Sequence, residues 1–88
     1  MELPEYKIIR NKNNFDFDFG QGFSGHVQFK SRLMEMLMKR IIIPSQKIKT
    51  KLNADMLECG VLYCLEFMIK NKELKKVNGE WTFKPKVN

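Results

Sequence analysis

The sequence predicts an α+β domain built from an N-terminal β-hairpin, two or three helices and a C-terminal β-hairpin. Three observations carry this. Phe15-Asp16-Phe17-Asp18-Phe19 alternates strictly between apolar and acidic residues, the period of a half-buried strand. Two later stretches repeat apolar residues at spacings of three and four, the period of a buried helix face. Near the C-terminus, Asn78-Gly79 sits between two short β-capable runs, a strong short-range mark of a hairpin. At 88 residues the chain is expected to form a single domain, 1–88, with a β-rich portion at 1–29 and a helical portion ending in a hairpin at 31–88.

Tyr6-Lys7-Ile8-Ile9-Arg10 is the first β-like run, and Asn11 to Asn14 reads as the turn into the Phe15–Phe19 strand. In that strand three phenyl rings face one way, and Asp16 and Asp18 face water. Gly20, Gly22 and Gly25 then interrupt the pattern and supply a loop. His26-Val27-Gln28-Phe29 reads either as a third short strand or as the lead into the first helix. Ser31 can cap a helix start, and Leu33, Met34, Leu37, Met38, Ile41 and Ile42 form an apolar stripe, predicting a helix over about 31–42. Arg32, Glu35, Lys39 and Arg40 occupy the rest of its surface, and Pro44 stops it.

Residues 45–52 fit both a short helix and a strand, because so short a run has no decisive period. The helix is preferred, since Pro44-Ser45 suits a helix start. Asn53 can cap the next helix, over about 54–71, with Asp55 in its first turn and Lys70 in its last, matching the helix dipole. Leu57, Val61, Cys64, Leu65, Met68 and Ile69 form its core stripe, widened by Met56, Leu62, Tyr63 and Phe67. Gly60 costs about 1 kcal/mol of helix propensity relative to alanine and implies close packing.

The C-terminal hairpin can be registered from its turn. With Asn78-Gly79 as a two-residue loop, Val77 faces Glu80, Lys76 faces Trp81, Lys75 faces Thr82 and Leu74 faces Phe83. Leu74, Trp81, Phe83 and Lys76 then share the face that packs on the helices, with the Lys76 stem along Trp81. Lys75, Val77, Thr82 and Lys84 take the wetter face.

The net charge is +6, and its placement is informative. Residues 1–29 hold three Lys/Arg against four Asp/Glu, whereas residues 30–88 hold 13 against 6, so the positive field belongs to the later part of the chain. Such a field favours a polyanion or an acidic protein surface. The opening residues carry Glu2 and Glu5 and not a basic-then-apolar leader, and no apolar run approaches the roughly 20 residues of a membrane span. The expectation is an intracellular protein, cytoplasmic or associated with nucleoid or nucleus, with no membrane contact. Cys59 and Cys64 are five apart, about 140° around a helix axis, and read as two buried thiols, not a disulfide.

Chemistry-bearing motifs are sparse. Gly20-Gln21-Gly22-Phe23-Ser24-Gly25 has no following Gly-Lys-Ser/Thr and does not match a phosphate loop. The stretch can instead display Phe23 as a partner-binding anchor. His26 is the only histidine, and neither cysteine stands at a metal-ligand spacing from it. Asp16 and Asp18 lie about 7 Å apart along a strand and read as solvated surface acids. No catalytic residue, metal, cofactor or small-molecule substrate is expected, and the chain is read as non-catalytic.

From residue 31 onward the predicted order is helix, short helix, longer helix, hairpin. That order resembles a winged helix-turn-helix domain, with Leu52-Asn53-Ala54 as the turn into the third helix and Asn78-Gly79 at the wing tip. The resemblance implies DNA binding, with the third helix in the major groove and the wing on backbone or minor groove. This chain departs from that pattern. Its third helix carries Asp55, Glu58 and Glu66, with no basic residue between Asn53 and Lys70 and few side chains suited to base edges. Contact is therefore expected through phosphate, at Lys47, Lys49, Lys51, Lys75, Lys76 and Lys84.

Two functional readings follow. One is a nucleic-acid-binding protein, for DNA or RNA, that uses this lysine surface. The other is a protein-binding adaptor or inhibitor that occupies a larger protein, for instance at its nucleic-acid-binding surface, with Asp16, Asp18 and Phe23 as contacts. Six methionines supply adaptable apolar surface and keep a homodimer open.

Overall fold

A computed structural model of the chain describes residues 2–10, 15–41 and 54–86. Among these the order is β1 (Lys7–Arg10), β2 (Phe15–Asp18), β3 (Phe23–Ser24), α1 (His26–Met36) running on into a π-helical turn (Leu37–Ile41), α2 (Ala54–Lys70), β4 (Leu74–Val77) and β5 (Glu80–Phe83). Two hairpins thus flank two helices in an α+β domain with the predicted winged-helix-like order. The segment 45–52 and its lysines, the stop at Pro44 and the cap at Asn53 lie outside the described residues.

β1 and β2 pair antiparallel, with Ile8 opposite Phe17 and Lys7 opposite Asp18. The alternation of β2 works as its sequence demands. Phe17 and Phe19 are buried while Asp16 and Asp18 are exposed. Phe19 carries the hairpin into the core, its ring centroid 4.6 Å from that of Phe29 on α1.

The C-terminal hairpin has the predicted register at all four pairs, from Leu74↔Phe83 to Val77↔Glu80. Asn78 and Gly79 have φ of 53° and 82°, both left-handed, as a type I′ turn requires. Strand β3 adds to this hairpin in parallel, with Phe23 opposite Trp81 and Ser24 opposite Thr82, giving a sheet of order β3-β5-β4.

The first helix begins at His26, five residues before Ser31, so of the two readings open for residues 26–29 the lead into the helix holds, and the third strand is Phe23–Ser24. The cause is Gly25. Its φ of 75° turns the chain sharply out of β3, and its carbonyl accepts the Phe29 N–H at 2.9 Å. Ser31 is an exposed residue inside the helix, and no side chain caps its start. Starting at 26 places Phe29, Leu33 and Met36 on one buried stripe, continued by Leu37.

Helix α2 buries Leu57, Val61, Cys64, Leu65 and Met68. It packs against α1 and β4, and α1 packs against β5. Gly60 is buried. The stripe is narrower than expected, since Met56 and Tyr63 are exposed. Cys59 is also exposed, so only Cys64 of the two thiols is buried. At an offset of 100° per residue, positions 56, 59 and 63 cluster on the side facing away from Leu57, Val61 and Leu65.

Candidate nucleic-acid interface

The lysines of the C-terminal sheet divide by face. The register puts Ser24, Thr82 and Lys75 in one row across the three strands. Lys84 follows β5 directly, and its N–H donates to Glu73 O at 2.8 Å, which carries the pairing with the β4 side one residue further and by the two-residue period puts Lys84 on the side of Thr82. Val77 and Glu80 complete that outer surface. Lys75 and Lys84 are exposed, and among the described residues neither makes an ion pair. Two cations, flanked by two hydroxyls, therefore stand on an open sheet face with one carboxylate at its far end.

Lys76 lies on the opposite face. Its Nζ is 2.6 Å from Glu2 Oε1 and 5.9 Å from the centroid of the Trp81 ring. The cation is engaged by the N-terminal segment on one side and by the indole on the other, and it does not join Lys75 and Lys84. The packing of its stem along Trp81 follows from the register read in the sequence. The pairing to Glu2 does not, because the two residues are 74 positions apart.

The candidate protein contacts also separate. Asp16 accepts a bond from Lys30 Nζ at 2.9 Å, and the Phe17 N–H donates to the same oxygen at 2.8 Å. These two bonds, Lys30 foremost, hold its carboxyl below the usual aspartate range. Asp18 accepts the Gly20 N–H at 2.9 Å and helps close the turn after β2. Phe23 is not displayed on a loop. As a strand residue it is half-buried, its ring centroid 4.6 Å from Phe29 and 5.6 Å from Phe19. The apolar cluster of Phe19, Phe29 and Phe83 gains more from that ring than solvent does.

Helix α2 presents Asp55, Glu58 and Glu66 to solvent together with Met56, Cys59 and Tyr63. An acidic first turn repels phosphate from the end of the helix where the dipole would otherwise attract it.

Other chemistry can be bounded. Among the described residues no group of three or more His, Cys, Asp or Glu is placed to hold a metal ion. His26 packs its ring against Phe19 and Phe23, at 6.0 and 6.1 Å between centroids. No helix among the described residues is long and apolar enough to cross a membrane. The Cys64 thiol is pushed up to about 12 by burial.

The chain matches no protein-family model, no curated protein and no solved structure.

Proposed function

We propose that this protein is a non-catalytic nucleic-acid-binding module that contacts phosphate backbone through the outer face of the β3-β5-β4 sheet. The supporting observation is the shared face of Lys75 and Lys84, unpaired among the described residues and bordered by the Thr82 and Ser24 hydroxyls. Lysines and hydroxyls bind phosphate oxygens without reading sequence. The acidic exposed side of α2 supports the same limit, since it carries no Arg, Asn or Gln for bidentate contact with base edges. The reading includes Lys47, Lys49 and Lys51 on the charge balance of residues 30–88 alone.

The test is the salt dependence of duplex binding. Each phosphate contact contributes a slope of about −0.9 in log K against log salt. The double variant Lys75→Glu, Lys84→Glu should flatten that slope by about two units and weaken all sequences alike. Affinity for DNA and RNA that is indifferent to salt would refute the reading.

A protein partner is the second reading, favoured by the exposed Met56, Cys59 and Tyr63 beside Asp55, Glu58 and Glu66 on α2. An apolar strip bordered by acids suits a basic protein segment better than it suits DNA. A stoichiometric partner that stays bound after nuclease treatment, and is lost on Tyr63→Glu, would establish it.

A further inference from the structure

The chain holds one tryptophan, two tyrosines and seven phenylalanines, and every one lies among the described residues. All but one of these rings are buried in the hydrophobic core or packed half-buried against it. The exception is Tyr63, which is exposed on α2. It stands three residues from Glu66, hence on the same helix face, where a carboxylate opposes a polyanion.

The β3-β5-β4 sheet sorts its side chains in the same way. Phe23, Trp81 and Phe83 face the core, while Ser24, Thr82 and Lys75 form the outward row. Val77, the apolar residue at the hairpin end of the outer face, is aliphatic and offers no ring to a base. On the inner side the Lys76 Nζ already lies 5.9 Å from the centroid of the Trp81 ring. The charges and the rings of this sheet are therefore on opposite faces.

We infer that the ligand of the outer sheet face is a double-stranded nucleic acid, which rests on that face being the phosphate-binding surface. Proteins that hold single strands pair a basic groove with exposed aromatic rings on which successive bases stack. Here a splayed base finds no ring beside Lys75 and Lys84, so charge is the attraction that remains. Charge favours the denser polyanion. A duplex carries about one phosphate per 1.7 Å of its axis, and one of its strands alone about one per 3.4 Å. The bases of a duplex are already stacked on one another and need nothing from the protein. Lys84 is the diagonal neighbour of Lys75 across the hairpin, about 7–8 Å away between Cα atoms, so the two ammoniums can serve one stretch of backbone.

The test uses the full chain with a mixed-sequence DNA duplex, an RNA duplex of the same sequence, and the unpaired strands of each, titrated at several salt concentrations. Each duplex is expected to bind more tightly than its separated strands. Each contact releases about 0.9 counterion on a duplex and about 0.7 on a single strand, so two contacts widen the gap about 2.5-fold per tenfold fall in salt. The emission of Trp81 should stay unmoved at saturation with either form. Single strands that bind as tightly as the duplexes with the salt dependence intact, or that strongly quench Trp81, would overturn this inference and leave the phosphate-binding surface standing. Binding of every form that is indifferent to salt would overturn the surface, and this inference with it.

Discussion

A Cβ added to Gly25 would lie 3.0 Å from the carbonyl oxygen of Phe83, closer than a side-chain carbon normally approaches backbone. The turn before α1 thus lies close against the backbone at the end of β5, and a backbone oxygen cannot swing aside as the end of a flexible side chain can. Gly25 also has a φ of 75°. Gly25→Ala should therefore destabilise by about 2 kcal/mol or more, from left-handed strain together with the contact. Gly25→Asn, which tolerates the backbone angle, should recover only the strain component. Urea unfolding of the two variants measures the difference, and an alanine variant as stable as the parent would show that the helix start can shift.

Lys72, two residues past the end of α2, lies in the left-handed region, with φ of 64°. Its N–H donates to Ile69 O at 3.0 Å, and the Glu73 N–H donates to Met68 O at 2.9 Å, the two bonds of a Schellman cap. Glycine is the usual residue at that position. Lys72→Gly is expected to raise stability by about 0.5–1 kcal/mol, despite the greater freedom of glycine in the unfolded chain. A fall in the urea midpoint would contradict it.

Asp16 should titrate below 3.8, the ordinary aspartate value, because Lys30 and the Phe17 N–H both favour its charged form. A carboxyl depressed on folding contributes stability that is present above its unfolded pKa and is lost as pH falls through the folded one. The window therefore lies on the acid side of 3.8. Lys30→Met should move the Asp16 carboxyl carbon titration back toward the ordinary value, followed by NMR. No movement would place the cause in the backbone bond.

The thiols should react very differently. Cys59 is exposed, while Cys64 is fully buried and pushed up to about 12. At pH 8 only about one Cys64 in ten thousand would be thiolate even if reagent could reach it. A disulfide reagent is expected to label one equivalent rapidly in the folded chain and a second only on unfolding. Two fast equivalents would show that the α2 core opens readily.

Patterns confined to neighbouring residues were legible. The Asn78-Gly79 turn fixes its own strand register, because a two-residue loop leaves one antiparallel alignment. The Phe15–Phe19 alternation likewise assigns its own faces. The local pattern leaves the start of α1 open between His26 and Ser31, because Ser31 is a good local cap and nothing nearby reveals that Gly25 is held against Phe83. Phe23 looked like a loop aromatic because its partners, Trp81 across the sheet and Phe29 in the core, are remote or on another element.

The amino-acid sequence alone determined the two hairpins, the apolar stripes of the helices, the acidic character of α2 and the split of Lys75 and Lys84 from Lys76 across the sheet. These depend on repeats and turns that span a few residues. Only the tertiary structure decided that β3 joins β5 in parallel, that Glu2 engages Lys76, and that Glu73 lies buried against Arg32. Each of these brings together groups far apart along the chain, and such contacts follow from how whole elements pack, which no local pattern encodes.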